Sequence, residues 1–380
     1  MNADLAVGVE HWRRRARARL PRAVFDFVDG GAEAEMALAA NRGALDVLSV
    51  TPRMLRDVSM RDTATDLLGQ RAALPLAIAP TGCNGLLHPA GDLALARAAA
   101  RAGIPFALST AANASIAEVA HAAGTPPWFQ LYITERTLAD RLVDMADAAG
   151  CAALLLTVDV PVGGKRLRDQ RNGFGLPLRW SLRLAADVAS RPRWLWGMRG
   201  GVPPFENLRL ALGDADPLRQ AGLLARNMDA SFAWRDLERL RARWPRKLVV
   251  KGILHPDDAR RAVDCGADGV VVSNHGGRQL DAAPATAQAL PEIAAAVDGR
   301  AQVLVDSGVR RGEDVLKLLA LGADGVLLGR ATLYGLAAAG EAGVSGVLEL
   351  LRDELERCMA LAGAANIDQL RKLEVKRRPI

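Results

Sequence analysis

Eight short apolar runs, separated by alanine-rich segments with helical spacing, constrain the fold of this chain more than any other feature. Each run has the length and composition of a buried parallel strand, and a glycine of the kind that ends helices precedes several of them. Eight strand–helix alternations predict an α/β fold, a (β/α)8 or TIM barrel, because right-handed crossovers leave few other topologies. The runs cover residues 74–79, 104–108, 128–131, 153–158, 247–250, 269–272, 302–305 and 325–328.

Length and spacing predict one barrel domain spanning residues 1–380. The chain is 380 residues long and half hydrophobic, which suffices for a large core, and α/β barrels of this size often form one domain. Residues 1–73 precede the first strand. We expect them to cap the N-terminal mouth of the barrel with helices and a short hairpin.

The fourth connection runs from about Val160 to about Lys247, and residues 178–246 form its long loop region. This is long for a compact barrel, and such loops are usually functional or mobile. In its part 178–207, arginines alternate with Trp180, Trp194 and Trp196. This composition is typical of a segment at a membrane interface. A solvated lid over the active site is an equal alternative.

Charge and cysteine content exclude several classes of protein. The net charge of +6 is modest for this length, and the basic run 13–19 is best interpreted as a solvated first helix, which does not indicate nucleic-acid binding. The four cysteines lie far apart, as expected for reduced thiols of a cytoplasmic protein without a metal site. No uncharged apolar run is long enough to span a bilayer.

Polar side chains follow the predicted strands at their C-terminal ends, where barrel enzymes keep their chemistry. One such residue alone is equally well explained as a hydrogen-bonding group at a strand end. Together they predict a polar rim around a planar ligand. The residues are Pro80, Thr81, Gly82, Ser109, Gln130, Tyr132, Thr157, Asp159, Lys251, Ser273, His275 and Arg278.

Three of these residues carry specific chemistry. His275 can accept a proton, and Arg278 can hold a carboxylate in a planar fork. Lys251 directly follows an apolar run, and a buried lysine is costly unless an anion pairs with it. The anion is either a ligand or a neighbouring aspartate.

The last two strands are followed by a pattern that predicts a phosphate site. Glycines there allow backbone N–H groups to approach a phosphate, and barrels bind phosphate after strands seven and eight. The pattern consists of Asp306, Ser307, Gly308 and Arg310 after strand seven, and Gly329 and Arg330 after strand eight.

The segment from Ser273 to Gln279, with the strand-end residues above, resembles the active site of the FMN-dependent α-hydroxy-acid dehydrogenases and oxidases. The resemblance extends over residues 20–362. It implies FMN as cofactor and oxidation of an (S)-2-hydroxy acid to the 2-oxo acid. It also implies His275 as base oriented by Asp159, Lys251 as stabiliser of reduced flavin, and Arg166, Arg278 and Tyr132 as ligands of the substrate.

The same resemblance assigns the remaining residues to the cofactor. The flavin ring would contact the strand-end residues, Asp306 would hold the ribityl hydroxyls, and the glycines with Arg310 and Arg330 would hold the phosphate. The implied cofactor set is Pro80, Thr81, Gly82, Ser109, Gln130, Thr157, Lys251, Ser273, Asp306, Ser307, Gly308, Arg310, Gly329 and Arg330.

The sequence departs from the family pattern at informative positions. Phe27 stands where most members have a tyrosine that contacts the substrate carboxylate, which favours an aromatic, mandelate-like acid over lactate. Ser307 replaces a glycine. Gly82 replaces the alanine common in oxidases and resembles mandelate dehydrogenase, which favours a dehydrogenase that passes electrons to a quinone or another acceptor.

The sequence leaves other functions open. One is a peroxide-forming oxidase, and another is a flavin-free phosphate-binding lyase or isomerase that uses Lys251 as a Schiff base. By resemblance the protein is expected to be a homotetramer. Its expected location is the cytoplasm, with attachment to the inner face of the cell membrane as an alternative.

Overall fold

The computed structural model describes residues 7–175, 181–201, 203–213, 220, 222 and 228–378. The strands of this part are β1 (Leu48–Thr51), β2 (Thr65–Leu67), β3 (Gln70–Ala72), β4 (Leu76–Ile78), β5 (Ala107–Ser109), β6 (Trp128–Leu131), β7 (Ala153–Thr157), β8 (Lys247–Ile253), β9 (Gly269–Val272), β10 (Gln302–Val305), β11 (Gly325–Leu328) and β12 (Glu374–Arg377).

The helices of the same part begin with the N-terminal group and end with a long helix that is broken in the middle. They are α1 (Val9–Arg19), α2 (Arg22–Asp29), α3 (Met36–Asp46), α4 (Gly91–Ala102), α5 (Ile116–Ala123), α6 (Arg136–Ala148), α7 (Leu167–Asn172), α8 (Leu182–Ala189), α9 (Pro192–Gly197), α10 (Glu206–Leu212), α11 (Trp234–Arg243), α12 (Pro256–Asp264), α13 (Thr286–Val297), α14 (Gly312–Ala320), α15 (Arg330–Ala362) and α16 (Ile367–Arg371).

Strands β4 to β11 form a parallel barrel in which β4 pairs with β11 and every other strand pairs with its neighbours in sequence. A parallel bridge between Ile78 and Phe106 joins β4 to β5 and closes the ring. The (β/α)8 prediction is therefore confirmed. Local signals place the helices as expected: Ser115 and Glu118 form a capping box at the start of α5, and Gly103 ends α4 in the left-handed conformation.

Alternate residues of the strands form two separate apolar clusters, as the two-residue period of a strand requires. One cluster fills the barrel and includes Trp128, Leu155, Val249 and Leu304. The other residues of the same strands pack against the surrounding helices. Because the interior is packed, the space for chemistry lies at the strand ends.

The N-terminal segment only partly covers the N-terminal mouth. The hairpin β2–β3 places Leu67 and Leu68 in the cluster inside the barrel, and the Leu68 N–H donates to Gln302 Oε1 at 2.8 Å. The expectation that helices share this position is wrong for α2. Its end lies at the opposite mouth, because Arg278 donates to the carbonyls of Phe27 and Gly30 at 2.6 and 3.1 Å.

The described part of the fourth connection folds back onto the loops after β4 and β5. The Asn113 amide donates to the carbonyls of Pro203 and Pro204, both at 3.0 Å, and the Trp194 indole donates to the Leu86 carbonyl at 2.7 Å. Trp196 is 71% exposed, whereas Trp180 lies outside the described residues. Within the described ranges, no helix has the length and hydropathy to cross a bilayer.

Candidate active site

A cavity of about 340 Å³ opens at the C-terminal ends of the barrel strands. It brings together most of the residues that the sequence singles out. Those that line it are Phe27, Pro80, Thr81, Gly82, Ser109, Tyr132, Arg166, Lys251, His275, Arg278, Asp306, Ser307, Gly308, Arg310, Gly329 and Arg330. The remaining predicted residues, Gln130, Thr157, Asp159 and Ser273, are not among the lining residues.

His275 is held between an acid and a phenol. Its Nδ1 lies 3.1 and 3.2 Å from the two carboxylate oxygens of Asp159, and its Nε2 lies 3.3 Å from the Tyr132 hydroxyl. Burial acts to raise the pKa of Asp159, but His275 and Lys251 outweigh it and lower that pKa below its usual value. Asp159 is therefore an ionised partner for Nδ1, and Nε2 faces the cavity side.

The strand β8 contains an irregularity that makes room for Asp159. Its register with β9 shifts between Lys251 and Ile253, and Gly252 has a φ of +108°. A Cβ on Gly252 would lie 2.6 Å from the Cβ of Asp159, closer than real side chains approach. Glycine at this position thus allows the acid to lie against β8.

Lys251 is 4% exposed and has two partners. Its Nζ lies 2.8 Å from Ser273 Oγ and 3.3 Å from Asp306 Oδ2, and the Ser273 hydroxyl is 2.9 Å from the same carboxylate oxygen. Burial acts to lower the pKa of Lys251, but Asp306 and Asp159 outweigh it and raise that pKa. A lysine that remains protonated is a fixed positive charge, which is unsuited to Schiff-base formation because that requires the neutral amine.

Two arginines face the same cavity around the ring of Phe27. The guanidinium carbons of Arg166 and Arg278 lie 5.5 and 5.1 Å from the ring centroid, within cation–π range. Arg166 pairs with Asp169 at 3.1 Å. Burial, together with the charges of Arg166 and Arg330, lowers the pKa of Arg278 to about 9. Crowded, desolvated cations of this kind favour the binding of an anion.

The opposite end of the cavity has the features of a phosphate site. The backbone of α15 begins here, directly after Gly329, and a helix N-terminus binds anions. Arg330 donates to the carbonyls of Val28, Gly276 and Gly30 at 2.9, 2.8 and 2.7 Å. It therefore also ties α2 to the loop that carries His275.

Arg310 lies beside this end of the cavity. Its guanidinium carbon stands 5.3 Å from the centroid of the Tyr334 ring, and its Nη1 donates to the Val309 carbonyl at 2.8 Å.

The Ser307 hydroxyl is 2.7 Å from Asp306 Oδ1 and accepts from the Gly276 N–H at 3.1 Å. Serine in place of the usual glycine thus joins the two loops.

Buried polar atoms without partners test whether the cavity fits a flavin. Gln130 Nε2 and Thr157 Oγ1 have no hydrogen-bond partner among the described residues. The side-chain oxygen of Gln130, in contrast, accepts from the Ser109 hydroxyl at 2.9 Å. Buried polar groups are nearly always satisfied, so these two indicate a polar ligand edge beside them. A ring with heteroatoms along one edge, linked to a phosphate, fits this arrangement.

The sequence predicted no role for Gln279, although this residue belongs to the segment from Ser273 to Gln279. Its amide donates to the carbonyls of Asp159 and Val162 at 3.0 and 3.1 Å, and its Oε1 accepts from the Gly164 N–H at 3.0 Å. It fastens the start of the fourth connection, which carries Arg166, to the His275 loop. Phe174, Asp169 and Met228 also line the cavity, and the sequence predicted no role for them.

The chain is similar to curated proteins over nearly its whole length. (S)-mandelate dehydrogenase of Pseudomonas putida is 47% identical over 363 residues, which cover 95% of this chain and 92% of that protein. An L-lactate dehydrogenase of Caulobacter vibrioides is 48% identical over 360 residues, 94% of each chain.

The fold of the chain is also similar to that of solved structures. The monotopic membrane protein (S)-mandelate dehydrogenase is similar with a TM-score of 0.93 and 45% identity, over 98% of this chain and 99% of that one. A mandelate oxidase is similar with a TM-score of 0.85 and 44% identity, with the same coverage. Residues 16–377 match the model of the FMN-dependent dehydrogenases. The chain therefore belongs to the FMN-dependent dehydrogenase family, and its cofactor is FMN.

Proposed function

We propose that this protein oxidises an (S)-2-hydroxy acid to the corresponding 2-oxo acid, with mandelate-like acids preferred and lactate next. The main support is that His275, Arg166 and Arg278 line the same cavity. A proton acceptor beside two carboxylate-binding groups suits a substrate that bears a hydroxyl next to a carboxylate.

Arg166 and Arg278 bind the substrate carboxylate. Burial and the repulsion between neighbouring guanidinium groups lower the pKa of Arg278. The negative charge of the substrate relieves this repulsion. Phe27 supports both arginines from one side. The Tyr132 hydroxyl, next to His275 Nε2, donates to the substrate hydroxyl or carboxylate.

His275 is the base. Oxidation of the substrate carbon releases two protons and two electrons, and His275 Nε2 accepts one of these protons. The Asp159 carboxylate fixes the ring through Nδ1 and stabilises the imidazolium that results. FMN, when bound, would accept the two electrons together with the second proton.

The other predicted residues hold the cofactor. Lys251, a buried cation held by Ser273 and Asp306, stabilises negative charge on the ring system. Gln130 and Thr157 supply their unpartnered polar atoms to its edge, together with Pro80, Thr81, Gly82 and Ser109. Ser307, Gly308, Arg310, Gly329 and Arg330 surround its phosphate, and Asp306 its ribityl chain.

We further propose that electrons pass to a membrane quinone and that segment 178–207 attaches the protein to the inner face of the cell membrane. In the described part of this segment, Leu182 and Trp196 are 92% and 71% exposed, and arginines stand beside them. Exposed apolar and basic side chains together suit a lipid interface. One solved relative is a monotopic membrane protein. A homotetramer is proposed on family grounds alone.

Anaerobic mixing with a panel of 2-hydroxy acids tests the oxidation, since flavin absorbance bleaches on reduction. Mandelate should bleach it faster than lactate or glycolate, and no bleaching with any acid would refute the proposal. Turnover with a quinone but not with oxygen would distinguish a dehydrogenase from a peroxide-forming oxidase. Deletion of residues 178–207 should release the protein from the membrane fraction.

A further inference from the structure

A second cavity, of about 540 Å³, lies outside the active site between α1, α2, α7 and the start of α9. Arginines dominate its lining among the described residues, with Asp26 and Asp29 as the carboxylates. We name it the arginine pocket. Its arginines are Arg13, Arg17, Arg22, Arg168, Arg171 and Arg191.

Three of these arginines, Arg13, Arg22 and Arg168, are already paired with carboxylates. Asp29 is 5% exposed and accepts from Arg13 at 2.6 and 2.8 Å, and from Arg168 at 3.0 Å. Asp26 pairs with Arg22 at 3.4 Å and accepts from the Asn172 amide at 2.7 Å. Both carboxylates are thus engaged with partners of their own.

The other three arginines have no carboxylate partner within the part of the chain that the structure describes. Arg17 stands one turn from Arg13 on α1, and Arg171 stands one turn from Arg168 on α7, so each helix presents a pair of arginines to the pocket. Among the described residues, neither Arg17 nor Arg171 has a carboxylate or other side-chain partner. Arg191 donates through Nε to the Leu20 carbonyl at 3.0 Å, and no carboxylate described here pairs with it.

A concave site with three uncompensated guanidinium groups favours an oxyanion, because arginine presents several N–H donors in a planar fork that matches phosphate. The pocket is separate from the flavin phosphate region. Tyr334 stands between them: its hydroxyl donates to Asp29 at 2.7 Å on one side, and its ring faces Arg310 on the other.

We propose that the arginine pocket binds a phosphate ester through Arg17, Arg171 and Arg191. Its position indicates where the ligand comes from. Arg191 directly precedes α9, whose Trp196 is exposed, and the Ala23 N–H of α2 donates to Asp187 of α8 at 3.2 Å. The pocket therefore adjoins the segment proposed to meet the lipid, so a phospholipid headgroup can enter it, as can a soluble phosphate ester.

The test uses the FMN-loaded protein, in which the flavin phosphate region is already filled. The variant Arg17→Gln/Arg171→Gln removes two charges from the pocket and breaks no described contact. The matched control Arg14→Gln/Arg56→Gln removes two charges from exposed arginines outside the pocket that have no described side-chain partner. Two probes are used: vesicles of phosphatidylcholine with or without phosphatidylglycerol, measured by sedimentation, and glycerol phosphate, measured by calorimetry.

A headgroup ligand should make the pocket variant bind phosphatidylglycerol vesicles about 25-fold more weakly, about fivefold per arginine, while the control loses much less. A soluble ligand should appear as glycerol phosphate binding to the original protein and the control but not to the pocket variant. If both variants match each other with both probes, the proposal is wrong. The pocket variant should retain flavin reduction by hydroxy acids, so this test does not depend on the outcome of the oxidation experiment.

Discussion

The Asp159 side chain occupies the space that a side chain on Gly252 would need, since a Cβ at position 252 would stand 2.6 Å from the Asp159 Cβ and 2.8 Å from its Cγ. The orientation of the acid that holds His275 therefore depends on the absence of a side chain on the neighbouring strand.

The substitution Gly252→Ala should displace Asp159 and misorient His275, and lower the rate of flavin reduction about 100-fold, because a shift of about 1 Å can cost that much. Stopped-flow reduction across a range of pH measures it, and the pH profile should change as well as the rate. Gly299→Ala is the control, since Gly299 also has positive φ (+69°) but open space around it. Equal effects of both variants would attribute the loss to backbone strain alone.

The variant His275→Asn should retain yellow bound flavin but lose substrate reduction by about 10²- to 10⁴-fold, the usual contribution of a general base. Asparagine is chosen because residue 275 has a φ of 57°, which asparagine tolerates better than most residues. Tyr132→Phe serves for comparison: it leaves the Asp159 contact intact and should reduce the rate less. Rapid bleaching of the asparagine variant would remove His275 from its role.

The variant Phe27→Tyr should lower the KM for lactate about fivefold, because the phenol adds one hydrogen bond to a carboxylate between Arg166 and Arg278. The KM for mandelate should change less. Phe27→Leu separates ring from hydroxyl, since it removes the surface on which both arginines lie. An unchanged preference between the two acids in the tyrosine variant would show that Phe27 does not determine specificity.

The variant Gly82→Ala should lower the free energy of unfolding and the affinity for FMN, because its Cβ would lie 2.6 Å from the Cβ of Ala111 in the cavity wall. Overpacking of this kind costs about 1–3 kcal/mol in the free energy of unfolding. Adding Ala111→Gly removes the clashing methyl group, so the double variant should regain stability and FMN affinity. Thermal unfolding and FMN titration measure both, with Ala111→Gly alone as reference. A double variant as unstable as Gly82→Ala would contradict the steric explanation.

The variant Asp29→Asn should lower the free energy of unfolding by about 2 kcal/mol near neutral pH, because Arg13 and Arg168, each about one-third exposed, lose a charged partner. Burial acts to raise the pKa of Asp29, but Arg13, Tyr334 and Arg168 outweigh it and hold that pKa well below the usual range. Because the pKa is depressed on folding, this stabilisation is present above about pH 4 and is lost as the pH falls through the folded-state value. Denaturant unfolding should therefore show the two proteins converging in acid. A gap that stays constant with pH would contradict this assignment.

Most of the fold could be read from the sequence, because strand and helix periodicity are local. The apolar run Gly269–Val272 followed by His275 places a histidine near a strand end without any tertiary information. The position of Lys251 could be predicted in the same way, but its partner could not. The charge of Lys251 is compensated by Asp306, which follows another strand. This pairing depends on the curvature of the barrel.

The sequence by itself determined the barrel, the family and the residues at the strand ends, since each depends on neighbouring positions in the chain. Only the tertiary structure decided how distant segments meet. Arg330 donates to a carbonyl of α2 in addition to lining the cavity, and Gln279 holds a loop that begins more than a hundred residues earlier. Arg17 and Arg171 line one pocket. Such contacts depend on the packing of whole helices against one another, which no local pattern encodes.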